Sequence, residues 1–518
     1  MNSIRKKCGA LRGLVACVAI FLIGPAKVSA DSVVQPIVIS HYMHCYVLGA
    51  YPTSDDRVQH PASVENVRDW PPLKFEGTWY SQDLAKIASS GEAAAVKEFE
   101  LFNSAGLDAV SLLLGPRMLP SSQFSRGLEL VARVADRSNS TKVIPELWAD
   151  PLSDDFKSFG QNVKRFMDAH PNAFLSRDGK PVFAFAFDSK SMAKVHDPYS
   201  GASKKIDEFL APWGGSEFAY IIYYVPYDLN KAIESPLVHE ADAVAVWTPQ
   251  DDWSALHSSV VFKIASSLHK DAVFPVSPSF YQRRAGQFPM EYGNSFGAAR
   301  YIDGWLEALR KRPAFVNIQT WNDFSEDTAI VPSSTAGETW LHLTAYFSSW
   351  LKTGFPPNRR EERVMLLRPK QLVRAKLDNA GAKTINAAWR HGSPTVDYID
   401  VVTILREPAL VRLTLGSQIW ELPVPAGIYE WLVRSNEAGS PGQSSYPTDT
   451  KLRHVTLAGA FESAVPVVQL FRGENLIGVV ESKAPLLDKG GWQDFTIIAD
   501  EAVLHSEQLR RKQPVEAH

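Results

Sequence analysis

Short apolar runs that end in polar turns alternate with segments of helical spacing along the first two thirds of the chain. VVQPIVISHYM reads as a first strand, and AAAVKEFELFNSAG then repeats its apolar positions every three or four residues before a stop at glycine. LDAVSLLLG, KVIPELWAD, PVFAFAFD, FAYIIYYVP, ADAVAVWTP, DAVFPVSPSF and AFVNIQTWND continue the strand series. Helical patterns such as GLELVARVADRSN, FKSFGQNVKRFMDAH, SALHSSVVFKIASSLHK and SFGAARYIDGWLEALRKR lie between several of them. Eight strands, most followed by a helix, predict parallel β/α units and an α/β fold, a closed (β/α)8 barrel of the TIM type. A doubly wound sheet is the alternative, but no glycine-rich fingerprint follows the first strand.

AGETWLHLTAYFSSWLKTG reads as the last helix, stopped at Gly354, and the Pro-containing FPPNRREE as a linker. Beyond it the pattern changes to short β-like runs separated by turns. ERVMLLRP, DYIDVVTILR, ALVRLTLG, IWELPVPAGIYEWLV, KLRHVTLAG, VPVVQLFRG, NLIGVVES and WQDFTIIAD predict an all-β sandwich. The expected organisation is a leader over 1–30, a barrel over 31–355, a β-sandwich over 356–510 that covers the barrel's outer face, and a polar tail over 511–518.

The leader has its own pattern. IRKK and Arg12 precede the short apolar LVACVAIFLIG, and KVSA ends in small residues before Asp31, the layout of a cleaved signal peptide of bacterial type. Its apolar core is short for a bilayer, so no stable transmembrane anchor is expected in the mature form, which would be periplasmic or secreted. Of the three cysteines, at 8, 17 and 45, only Cys45 survives cleavage after Ala30, so no internal disulfide is expected. A net charge of -3 over 518 residues gives no basic footprint for nucleic acid. Fourteen Trp and sixteen Tyr suit a core, and equally a cleft that stacks on sugar rings.

Barrel chemistry collects at the C-terminal ends of the strands. There the sequence offers His41 and Tyr42 after the first run, Glu146 and Trp148 at the third, Asp188 after the fourth and Trp247 at the sixth. No HExxH, Cys/His cage, G-x-S-x-G elbow or phosphate loop is present, so no metal or cofactor is expected. Carboxylate acid/base chemistry remains. TWNDFSED, 320–327, places Asp323 and Glu326 three positions apart just past the last strand. Glycosidic cleavage needs one protonated carboxyl and one ionised carboxylate, roles that two neighbouring groups divide as their pKa values separate. Trp321 and Asn322 would shape the sugar site beside them. The same D-x-x-E spacing also fits an acidic residue capping a turn, with Asp327 as a loop acceptor.

AFVNIQTWNDFSEDTAIVP resembles the strand and T-W-N-D-[aromatic]-G-E-S segment of glycoside hydrolase family 71, the α-1,3-glucanases or mutanases. VFPVSPSF, SHYMHCYVLG, AGLDAVSLLLG and ADAVAVWTPQ are similar to other strands of that family, so the likeness runs through most of 35–350. The resemblance implies a barrel joined to a β-sandwich and inverting hydrolysis of α-1,3-glucan, with Asp323 as general base and Glu326 as general acid. His41, Tyr42, Glu146, Trp148, Asp188, Trp247, Trp321, Asn322 and Asp327 would contact a polysaccharide or oligosaccharide substrate. Ser325 stands where the family segment has Gly, Asp327 where it has Ser, and His44–Cys45 where it has Gly-Asn after methionine. The alternatives are a non-catalytic carbohydrate-binding barrel and a hydrolase of another α-linked polymer such as a mannan.

Overall fold

The computed structural model describes residues 35–43, 92–116, 122–138, 140–149, 155–187, 198–225, 235–246, 254–281, 291–293, 296–323, 326–333, 335–358, 361–377, 388–389, 396–436, 447–490 and 495–504. The leader, the polar tail, Asp188, Trp247 and Ser325 lie outside them. Residues 36–518 group as one compact unit.

Eight parallel strands close on themselves. They are β1 (Ile37–Tyr42), β2 (Ala109–Leu114), β3 (Lys142–Ala149), β4 (Lys180–Phe187), β5 (Tyr220–Val225), β6 (Ala243–Val246), β7 (Asp271–Val276) and β8 (Phe315–Ile318). Each pairs with the next, and β8 returns to β1 with Ile37 opposite Phe315. A helix follows each strand: α1 (Glu92–Ala105), α2 (Ser122–Arg137), α3 (Phe156–Ala169), α4 (Pro198–Leu210), α5 (Pro236–Glu240), α6 (Ser254–Ser267), α7 (Ala299–Lys311) and α8 (Thr339–Thr353). Helix α8 ends at Gly354, whose φ of +80° suits a residue without Cβ and whose N–H donates to the Trp350 carbonyl. The one-turn α5, opened by Pro236, is too short to leave a periodic signal.

Strand alternation divides the barrel's side chains into two cores. Ile39, Ala109, Ile144, Val182, Ala184, Ile222, Ala245, Val273 and Phe315 fill the lumen, whereas Val38, Val110, Val143, Phe183 and Val316 face the helices. Both faces are covered, so the strands read as continuous apolar runs. Arg177 lies over the rings of Tyr220 and Phe315, near the start of their strands, and pairs with Asp271 at 2.8 Å. The lumen is thus closed at its N-terminal end.

After α8 the chain builds β layers. Strands β9 (Glu362–Pro369), β10 (Gln371–Leu377), β11 (Tyr398–Leu405), β12 (Ala409–Leu415), β13 (Gln418–Val424), β14 (Gly427–Ser435), β15 (Arg453–Ala458), β16 (Pro466–Arg472), β17 (Asn475–Glu481), β18 (Leu487–Gly490) and β19 (Ile497–Leu504) form a five-stranded sheet ordered β15-β14-β11-β9-β19, a four-stranded sheet ordered β13-β12-β16-β17, and the pair β10-β18. Val364, Leu366, Val401, Trp431 and Val433 of the larger sheet meet Val411, Leu413, Val468 and Leu470 of the smaller across one core. Met365, Leu367, Val402, Ile404 and Ile428, on the larger sheet's other face, join the barrel's outer core. The larger sheet is therefore a middle layer, which is why β9 and β11 are buried at every position. The outer β12 instead alternates buried with half-buried residues.

Two details differ from the sequence pattern. IWELPVPAGIYEWLV is two strands in different sheets, because the chain turns at Pro425–Gly427 and Gly427 takes φ +92°. Strands β10 and β18 are not among the expected runs, and among the described residues they pair with one another.

Candidate active site

The lumen's C-terminal end is polar. His41 at the end of β1 and Glu146 on β3 meet across β2, with Nδ1 2.9 Å from Oε2, and Ser111 of β2 donates to the same oxygen at 2.7 Å. All three are fully buried. Tyr224 of β5 and Asn317 of β8 extend the cluster, the Asn317 amide donating to the phenol oxygen at 2.8 Å. Burial first, and then the charge of Glu146, push the Tyr224 phenol well above its ordinary value, so it remains a neutral hydroxyl. A pairing of this kind fixes the His41 ring orientation, as carboxylates do for histidines at working sites. Trp148, one alternation beyond Glu146 and 43% exposed, stands at the rim.

The segment after β8 folds back on itself. The Gln319–Thr320 peptide is cis. Thr320 N–H donates to the Thr328 carbonyl at 3.0 Å, Ile330 N–H to the Thr320 carbonyl, and Val331 N–H to the Trp321 carbonyl. Asp323 is buried at the apex: its N–H donates to Thr320 Oγ1 at 2.7 Å, and its Oδ1 accepts the Glu326 N–H at 3.2 Å. The cap that the spacing allowed is therefore present, and it ties Asp323 directly to Glu326.

Neighbouring side chains hold this loop against β1. Asn322 clasps the Met43 backbone, accepting from its N–H at 2.8 Å and donating to its carbonyl at 3.2 Å. Trp321 N–H donates to the His41 carbonyl at 2.8 Å. The Trp321 indole and the Tyr42 hydroxyl both donate to Glu98 of α1, at 2.8 and 2.7 Å, and both rings pack against Phe102. Tyr42 and Trp321 thus belong to the core between strands and helices, not to the lumen. Consecutive residues of a strand face opposite sides, so His41 and Tyr42 cannot both line the same cleft. Tyr42, Trp321 and Asn322 are fully buried and support the loop from behind. Asp327 is placed toward the β layers, its Oδ2 3.3 Å from the Ile497 N–H.

Ser111, Tyr224, Asn317 and Glu98 are not among the site residues expected from the sequence. A sequence signal existed for two of them: Asn317 interrupts the apolar FVNIQ run, and Glu98 falls on the buried stripe of α1 with Ala95, Phe99 and Phe102.

Residues 153–447, more than half of the chain, match the profile of glycosyl hydrolase family 71. The chain belongs to that family. The match spans the 320–327 loop, and membership makes the protein a glycoside hydrolase. Among curated proteins, the glucan endo-1,3-alpha-glucosidase agn1 of Schizosaccharomyces pombe is 25% identical over 359 residues, covering 65% of this chain and 79% of the relative. Among solved structures, a GH99 endo-alpha-mannosidase from Bacteroides thetaiotaomicron aligns with TM-score 0.39 and 15% identity over 51% of this chain and 81% of the other. Its complex with bis-tris-propane aligns with TM-score 0.44 and 16% identity over 62% and 98%. No helix among the described residues is long and apolar enough to cross a membrane.

Proposed function

We propose that this family 71 hydrolase is exported, to the periplasm or the medium, and cleaves α-1,3-glucan or a related α-linked polysaccharide with inversion. The observation that carries the reading is the position of Asp323 and Glu326: one hydrogen-bonded turn, at the C-terminal end of the eighth barrel strand, inside the family match. The endo-1,3-alpha-glucosidase activity of the Schizosaccharomyces pombe relative supports the α-1,3 linkage, and the leader supports export. The barrel over 31–355 carries the reaction, and the sandwich over 356–510 braces it.

In the proposed reaction Glu326 protonates the glycosidic oxygen as its bond to the anomeric carbon breaks. Asp323 takes a proton from water as the water oxygen bonds to the opposite face of that carbon. Inversion requires the two carboxyl groups to stand about 6.5–9.5 Å apart when substrate and water are bound. His41 and Glu146 form the polar floor of the cleft, and Trp148 offers a ring face at its rim, with Asp188 and Trp247 as further sugar contacts.

The test is product analysis of the purified protein on α-1,3-glucan with Asp323→Asn as the paired control. Oligosaccharides from the parent and a loss of roughly 100-fold or more in the variant are expected. Near-normal turnover by a folded Asp323→Asn protein would remove Asp323 from the mechanism. Saturable glycan binding without product from the parent would favour the non-catalytic barrel, and cleavage of a mannan instead would move the substrate.

A further inference from the structure

Strand β19 is an edge of the larger β sheet, and an edge strand presents every second N–H outward. Two of those donors are used by the barrel. Ile497 N–H points to Asp327 Oδ2 at 3.3 Å, and two residues on, Ala499 N–H donates to the Thr335 carbonyl at 2.9 Å. Both acceptors lie in the connection between β8 and α8 that contains Asp323 and Glu326. Ile497 and Ala499 pack their side chains into the barrel's outer core, so the edge has little room to slide. A second anchor comes from the barrel itself. The Ser279 hydroxyl, just beyond β7, donates to the Asp327 carbonyl and lies 3.4 Å from Oδ2. Asp327 takes φ +54°, a conformation that aspartate and asparagine tolerate better than most residues, immediately after Glu326.

We propose that Asp327 is a positioning residue: its carboxylate, held by the sheet edge at Ile497, and its carbonyl, held by the Ser279 hydroxyl, clamp the Asp323–Glu326 turn, making the β layers part of the hydrolytic machinery. The kinetic part of this inference rests on the hydrolase reading above; the structural part does not. The clamp acts on the residue next to Glu326, so its loss should shift a reacting group without removing any substrate contact. Misplacement of a reacting group by about 1 Å costs on the order of 100-fold in rate.

The experiment compares the purified parent with Asp327→Gly, which removes the acceptor without imposing φ strain, Asp327→Asn, which keeps an acceptor in the same place, and Ser279→Ala, which releases the opposite anchor. Amide hydrogen exchange is read at Thr328, Ile330 and Val331, and kcat and KM on α-1,3-glucan are read separately. Faster exchange at those amides is expected in Asp327→Gly and, to a lesser degree, in Ser279→Ala. With it should come a kcat lower by about 10- to 100-fold in the glycine variant, KM within about threefold, and recovery of most of the rate in Asp327→Asn. Unchanged loop exchange in both Asp327→Gly and Ser279→Ala would overturn the clamp, as would an asparagine variant as impaired as the glycine one. Should Asp327→Gly fail to fold, Ser279→Ala against the parent decides by the same exchange readout. A parent that releases no product defeats the hydrolase reading alone, because loop exchange still decides the clamp.

Discussion

Glu98 is the buried carboxylate on which the candidate catalytic loop leans. It accepts from the Trp321 indole at 2.8 Å and the Tyr42 hydroxyl at 2.7 Å, and neither donor side chain is exposed. Truncation to alanine orphans both donors, at about 1–3 kcal/mol each, for a total of roughly 2–6 kcal/mol. Glutamine is expected to behave differently. Its oxygen accepts from Trp321 while its amide faces the Tyr42 oxygen, so one donor is orphaned instead of two and the cost should be about half that of alanine, roughly 1–3 kcal/mol. Urea unfolding of the parent, Glu98→Gln and Glu98→Ala, followed by tryptophan fluorescence at one pH, measures the order. An alanine variant within about 1 kcal/mol of the parent, or a glutamine variant as unstable as alanine, would refute the bridging role.

Two further outcomes concern the seam between barrel and β layers. Asp400 on β11 accepts the Ala298 N–H at 2.7 Å, and burial pushes its carboxyl from 3.8 up to about 7. A raised acid pKa means the folded state holds the extra proton, so its contribution to stability is complete below about pH 4 and is lost as pH rises through 7. Asp400→Asn should therefore flatten the decline between pH 4 and 7, with an amplitude on the order of 4 kcal/mol, read from unfolding at several pH values. Arg453 on β15 binds Glu430 at 2.6 Å and Asp303 of α7 at 2.9 Å, and both it and Glu430 are buried. Burial first, and then the charge of Asp400, push the Glu430 carboxyl well above its ordinary value against the pull of Arg453. Arg453→Met removes that pull together with the hydrogen bonds to Glu430 and Asp303 and should cost about 3–5 kcal/mol at neutral pH, checked by thermal unfolding, where an unchanged midpoint would count against it.

The order of elements was legible in the chain because each buried strand and amphipathic helix carries its own local period. Eight apolar runs separated by helical stripes specify parallel β/α units, and the change after Gly354 to short β-like runs separated by turns marks the β layers. The acidic turn was visible too, since TWNDFSED is a local arrangement past a recognisable strand. Its surroundings were not. His41 and Glu146 are 105 residues apart, and Trp321 and Glu98 are 223 apart, so only barrel closure brings them together. Closure also decided which face each residue takes, sending His41 into the lumen and its neighbour Tyr42 out to α1. The contact of Asp327 with Ile497 depends on one further step, the docking of a sheet edge against the β8–α8 connection, and no local period encodes a contact across 170 residues.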